Sequence, residues 1–303
     1  MKILMTGGTG FVGTTLTREL TAKGHSVTVL MRKVESGVGL PPGANSLEGD
    51  PTIRGAWQER VPEHEAFINL AGASIFTRWT DEAKHAIRES RILTTRNLVE
   101  ALAPRKGKET HLFGTSAVGY YGFHGDEDPI EESPPGTDFL ATLAREWEAE
   151  AVKAKEHGVR VVLCRFGIVM GRNGGMLGEI VPIFRMFLGA NLGSGNQWLS
   201  WVHEMDLARI FFFLLENRGL EGPLNCTAPE PVRNREFTET LGKVLGVPTF
   251  LPPVPGFMLR LMKGEFGAVI LKGQRVLPRR ILAAGFQFRY PTLIEALTEI
   301  LRK

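Results

Sequence analysis

A chain of 303 residues with 43% hydrophobic and 23% charged side chains can bury a sizeable core, and at about 150 residues per domain it has room for two lobes. Its 36 Lys and Arg against 33 Asp and Glu leave a formal charge of +3, spread along the sequence, which weighs against a dedicated nucleic-acid binder and against a polybasic membrane anchor. Two cysteines, Cys164 and Cys226, with no Cys/His cluster at zinc-ligand spacing, predict free thiols in a reducing cytoplasmic compartment and no metal site. The stretch before the first glycines is too short for a signal-peptide core, and no apolar run approaches the roughly 20 residues that cross a bilayer.

In chain order, short β-branched or apolar runs alternate with segments of helical period, the pattern of a parallel sheet with crossover helices. Strands are predicted at Lys2 to Met5, Ser26 to Met31, Ser46 to Leu47, Ala66 to Leu70, His111 to Gly114 and Arg160 to Cys164. Helices are predicted from Phe11 to Lys23, Asp81 to Leu102 and Asp138 to His157, the second opened by Thr80 as N-cap with Asp81 and Glu82 in its first turn. The fold class is α/β, a Rossmann-type doubly wound parallel sheet with a smaller C-terminal substrate lobe. Residues 1–165 form the dinucleotide-binding core and 166–303 the smaller lobe, with room to return strands to the core sheet. In that lobe Asn234 caps a helix to about Leu245, Pro278 and Gly285 bracket another, and Thr292 with Glu295 makes a capping box for the last.

The first strand runs directly into Gly7, Gly10 and Gly13 and then into a helix. Gly7 permits the tight turn, Gly10 the close approach of a pyrophosphate, and Gly13 the packing of helix on strand, while the amides of Phe11 and Val12 supply the anion site. At the tip of the second strand, where a carboxylate would select unphosphorylated ribose, stand Met31, Arg32 and Lys33, with no acid before Glu35. A guanidinium there, helped by a lysine, points to NADP. Asp50 is a candidate for the adenine amino group.

The Thr6 to Gly13 loop, the turn Asn69-Leu70-Ala71-Gly72 and the segment Leu163 to Gly171 together resemble the extended short-chain dehydrogenase/reductase superfamily. Arg78-Trp79, Ser90-Arg91, Ser116 to Gly122, Ser133 to Gly136, Gly193 to Gly195, Gln197-Trp198, Ser200-Trp201 and the final segment from Gly273 are similar to an uncharacterised, atypical subfamily of NAD-dependent epimerase/dehydratase-like proteins with a C-terminal domain of its own. The resemblance implies that the Leu70 and Ala71 backbone lines the nicotinamide-side ribose and that Arg91 reaches the cofactor. Spacing supports a cationic helix face, because Lys84, Arg88 and Arg91 fall at i, i+4 and i+7.

Ordinary members of that superfamily relay protons through a Tyr, a Lys four residues later and an upstream Ser. Anchoring on Gly122 puts Ala117 at the serine position; anchoring on the helix puts Leu143 and Trp147 at the Tyr and Lys positions. None of these transfers a proton at neutral pH. Ser116, Tyr120 and Tyr121, beside the sheet edge, are the candidate replacements, with Arg91 able to stabilise an oxyanion. On the substrate side Arg78, Trp79, Gln197, Trp198, Trp201, His203 and Asp206 are candidates for an aromatic pocket.

Two functions fit these residues. One is an NADP(H)-dependent oxidoreductase or epimerase-like enzyme with an atypical proton donor, acting on a small-molecule substrate such as a carbonyl, hydroxyl or sugar-nucleotide-like compound. The other is a non-catalytic NADP(H)-responsive binding protein. The helices beginning at Asp81 and Asp138 are a candidate homodimer seam.

Overall fold

The computed structural model describes residues 1–33, 39–172 and 174–302. The first half of the chain carries β1 (Lys2–Thr6), α1 (Phe11–Ala22), β2 (Ser26–Met31), β3 (Asn45–Glu48), β4 (Ala66–Asn69), α2 (Asp81–Glu100), β5 (His111–Ala117), α3 (Phe139–Val152) and β6 (Arg160–Phe166). The second half adds β7 (Ile168–Gly171), α4 (Gly175–Arg185), β8 (Trp198–Leu199), β9 (Trp201–His203), α5 (Glu204–Glu216), β10 (Gly222–Cys226), β11 (Val232–Arg233) and α6 (Asn234–Leu245). Four short helices follow: α7 (Gly256–Lys263), α8 (Glu265–Val269), α9 (Arg279–Ala283) and α10 (Leu293–Leu301).

Seven strands make one parallel sheet in the order β10-β6-β5-β4-β1-β2-β3. The chain leaves β1 toward β2 on one side and reaches β4 on the other, so the order of strand addition reverses between β1 and β4. A crevice opens there at the carboxyl ends. Alternate residues of β1 face opposite layers. Ile3 and Met5 pack with Leu16 and Leu20 of α1 and Leu207, Ile210 and Leu214 of α5, whereas Leu4 packs with Leu98 and Val99 of α2 and Ala151 of α3. A third core joins Met170, Leu177, Trp201, Phe237, Leu241 and Leu297 beside the sheet.

The six expected strands and three expected helices of the first half are present, with α2 and α3 each ending earlier than the sequence suggests and continuing as a short 3-10 segment. β10 was not legible. Its sequence Gly-Pro-Leu-Asn-Cys is poor in β-formers, and it persists because it is an edge strand paired only with β6, where Pro223 need not donate on its outer side. Cys164 and Cys226 are both buried and free. Among the described residues no helix is long and apolar enough to cross a membrane, and no cluster of His, Cys, Asp and Glu could hold a metal ion.

Candidate functional site

The opening turn lies at the switch point, and its three glycines are constrained by different things. Gly7 has φ +69°, and a Cβ on it would lie 2.8 Å from the Ala71 nitrogen, so both conformation and space require glycine. A Cβ on Gly13 would lie 2.1 Å from the Gly7 carbonyl oxygen, which fixes α1 against the turn. Gly10 is exposed, and its Cβ would meet only the Gly7 oxygen, at 3.3 Å. Nothing inside the protein demands glycine as strictly there. The Phe11 and Val12 amides, in the first turn of α1, have no partner among the described residues. Gly174 and Gly175, at the start of α4, lie against the Phe11 ring, where a Cβ on Gly174 would come within 2.7 Å of it.

Around the turn stand the other expected contacts. Arg32 and Lys33, at the end of β2, are exposed and make no ion pair among the described residues; Glu35 lies outside the described residues. Leu70 and Ala71 follow β4 and are half-buried, held by Ala71 N–H donating to Thr6 Oγ1 at 3.2 Å. The Asp50 carboxylate accepts from the Thr52 amide and hydroxyl at 2.9 and 2.6 Å, so its Oδ1 closes a local turn.

The three cations of the α2 face separate sharply. Lys84 donates to Glu265 at 2.7 Å, and Arg88 to Glu146 at 2.7 Å and Glu89 at 2.8 Å. Arg91 has no carboxylate partner among the described residues. Its Nη1 donates to the carbonyls of Ala73 and Ile87 at 3.0 and 2.9 Å, while Nε and Nη2 have no partner among the described residues. The guanidinium stacks 5.3 Å from the Trp147 ring and presses on Gly72, whose Cβ would lie 2.8 Å from Arg91 Cζ. Burial without a counter-charge lowers its pKa to about 10. Trp147, at the Lys position of the resemblance, thus carries a cation supplied from α2. Its indole donates to Thr95 Oγ1 at 2.8 Å, and Thr95 also receives Asn69 Nδ2 at 2.7 Å.

Two of the candidate proton donors are committed elsewhere. Ser116 donates to Glu148 Oε1 at 2.6 Å, and Glu148 accepts both forks of Arg165 at 2.8 Å. Arg165 Nη1 donates to the Tyr121 oxygen at 2.9 Å, and Tyr121 donates to Asn225 Oδ1 at 2.6 Å. Ser116 and Tyr121 are each 1% exposed, and burial pushes the Tyr121 phenol up to about 12. Burial also works against the Arg165 cation, but the Glu148 carboxylate more than offsets it and the pKa rises. Tyr120 is half-buried, with Arg165 stacked 3.6 Å over its ring. This network joins β5, α3, β6 and β10; it is a buried brace.

The aromatic pocket expected on the substrate side is largely redistributed. Trp201, His203 and Asp206 are fully interior: Trp201 donates to the Glu230 carbonyl at 2.8 Å, His203 bonds Glu299 at 3.0 Å and caps α5, and Asp206 accepts from the Arg289 and Tyr290 amides at 2.8 Å. Gln197 bonds the Leu192 carbonyl at 3.0 Å, and Trp198 donates to Asp126 at 2.9 Å beneath the Arg233 guanidinium. Each indole donor has an internal acceptor, which is why these residues pack instead of lining a pocket. Trp79 differs. It sits beside the site in an apolar cluster with Ile87, Leu143 and Phe266, bordered by Ala73, Ile75, Phe139 and Leu140. Phe266 comes from α8, so the C-terminal segment closes over the end of β4.

Sequence reasoning missed the Arg91–Trp147 stack, the Phe266 cover and the partners Glu148, Arg165 and Asn225. A signal for the brace existed: Glu148 falls on the buried stripe of α3, and Arg165 interrupts the apolar run from Val161 to Phe166.

A doubly wound parallel sheet with a glycine turn and free helix amides at its switch point defines a Rossmann-type nucleotide-binding protein. Residues 3–226 match the NAD dependent epimerase/dehydratase family and residues 254–300 match a domain of unknown function, DUF1731, and the chain belongs to that epimerase/dehydratase family. It is 40% identical, over its whole length and 87% of the relative, to the chloroplastic epimerase family protein SDR39U1 homolog of Arabidopsis thaliana. It is 39% identical to the epimerase family protein YfhF of Bacillus subtilis over 99% of this chain and 98% of that one. Among solved structures, the human epimerase family protein SDR39U1 with NADPH superposes with a TM-score of 0.85 at 35% identity, covering 99% of both chains.

Proposed function

We propose that this chain binds NADP(H) across the β1–β4 crevice and uses it as an oxidoreductase on a small carbonyl or hydroxyl compound. Gly10 carries the reading: it is exposed and little constrained from inside, and it precedes helix amides that, like the cations Arg32 and Lys33 after β2, have no partner among the described residues. In this reading the Phe11 and Val12 amides take the pyrophosphate, Arg32 and Lys33 take the 2′-phosphate, and Leu70 and Ala71 border the nicotinamide-side ribose. Arg91 stands for the missing lysine, reaching the ribose from α2. The NADPH of the human relative supports the same choice of dinucleotide. The bound group would supply hydride chemistry, and the chain would orient it.

The test is titration with NADPH and NADH followed by nicotinamide fluorescence. The unaltered chain is expected to prefer NADPH by at least about ten-fold, the equivalent of about 1.4 kcal/mol, and Arg32→Glu to remove that preference. Equal affinity of the unaltered chain for both would overturn the assignment.

The loss of the Tyr and Lys relay favours a second reading, a binding protein whose C-terminal segment responds to the dinucleotide. Dinucleotide-induced stabilisation without turnover across carbonyl and sugar-nucleotide panels would select it.

A further inference from the structure

We propose that the reaction centre takes an apolar conjugated carbonyl compound, not a sugar, and that Arg91 holds the negative charge that develops on its oxygen; this rests on the dinucleotide reading above. The walls make the first part of the case. Beyond β4, Ala73, Ile75, Phe139 and Leu140 are half-buried apolar residues that back onto a packed core of Trp79, Ile87, Leu143 and Phe266. Arg91 Nη1 bonds the carbonyls of Ala73 and Ile87, so the guanidinium belongs to the same surface. A sugar ring placed there would surrender the water around each hydroxyl and receive few partners in return. A flat apolar molecule with one oxygen has no such debt.

The second part is proton bookkeeping. Converting a sugar alcohol to a ketone breaks O–H as hydride leaves the carbon, so a base must stand beside the hydroxyl. The positions that should supply it are Leu143, Ala117 and Trp147. Ser116 and Tyr121 are consumed by the brace, Tyr120 packs in a separate cluster with Val118 and Val276 under the Arg165 guanidinium, and the Ser90 hydroxyl donates to Ile87 O while accepting from Ala73 N. Lys84 is ion-paired with Glu265 at the rim. What remains is a half-buried cation with two donor nitrogens unpartnered among the described residues, a site that receives negative charge and is not a base.

Reduction of an α,β-unsaturated carbonyl fits that inventory. A hydride from reduced nicotinamide forms a C–H bond at the β-carbon, the C=C π pair shifts to join the α-carbon to the carbonyl carbon, and the carbonyl π pair comes to rest on oxygen. The resulting enolate is a much weaker base than an alkoxide and persists against the guanidinium until water delivers a proton to the α-carbon. The alkene has gained two electrons, the nicotinamide has lost them, and the one proton consumed comes from solvent.

The experiment uses the full chain with NADP⁺ bound and para-nitrophenol as a flat oxyanion mimic whose ionisation is visible by absorbance. We expect the bound phenol to ionise at lower pH than in water, with phenolate held at least about ten-fold more tightly than phenol. Arg91→Met should abolish the shift and Arg91→Lys should keep part of it, folding being checked by circular dichroism. In parallel, cyclohexenone should oxidise NADPH and acquire deuterium from D2O at the α-carbon, while UDP-glucose with NADP⁺ gives no reduction. An unshifted phenol, turnover of UDP-glucose, or reduction of cyclohexanone as fast as cyclohexenone overturns the proposal. Absence of NADPH uptake by fluorescence would instead bring down the dinucleotide reading on which it rests.

Discussion

Tyr121 shows how one hydroxyl changes meaning once its neighbours are known. Its phenol bridges Arg165 and Asn225 inside the protein, and removing it leaves two buried polar groups short of a partner. Tyr121→Phe is therefore expected to cost about 1–3 kcal/mol of stability, read by urea denaturation, with NADPH affinity unchanged; an unchanged midpoint would refute the brace. The same phenol predicts alkaline behaviour. Its pKa is raised by burial to about 12 from an unfolded value of 10.0. The neutral form is favoured by folding, so its stabilisation is intact below pH 10 and is lost as pH rises toward 12. The Phe variant should lack that component of the alkaline fall. At the opening turn, Gly13→Ala would drive a Cβ to 2.1 Å from the Gly7 oxygen. The turn must open, and we expect lost NADPH binding, by titration, together with a lowered Tm.

Among the elements, the alternation of strands and helices made β1 to β6 and α1 to α3 readable, because each is a local pattern and the crossover rule then leaves few ways to assemble them. The glycine turn was readable for the same reason. What could not be read are relations between distant residues: Ser116 meets Glu148, Glu148 meets Arg165, and Tyr121 meets Asn225 across 104 positions. Likewise nothing local distinguishes Arg91 from Lys84 and Arg88; only the placement of Glu265 and Glu146 neutralises two of the three. The attachment of α10 is a further case. Asp206 of α5 is wholly buried and receives the Arg289 and Tyr290 amides just before that helix. Asp206→Ala strands those amides and removes the partner of Arg209. We expect a loss of about 3–5 kcal/mol and faster hydrogen exchange across α10, whereas β1 to β5 should keep their protection if the defect stays with that attachment.

For the molecule as a whole, acid sensitivity follows from its histidines. His64, His111 and His203 are all held below 6.5 by burial, which penalises the imidazolium; Glu299 pulls His203 the other way but does not prevail. The unfolded chain therefore takes up protons first. Their contribution is present above pH 6.5 and is lost as pH falls through the folded values. Thermal denaturation between pH 7.5 and 5.5, a range set about the ordinary histidine pKa, should show a falling Tm, with a shallower descent in His203→Gln; a flat profile would contradict the assignment.

The late position of β10 also matters while the protein is being made. Until residues 222–226 have left the ribosome, β6 has no neighbour on its outer side, and a parallel sheet waits with an open row of amides and carbonyls. A chain truncated shortly before that point should misassemble with its own kind, and synthesis is the interval in which a chaperone would have something to shield.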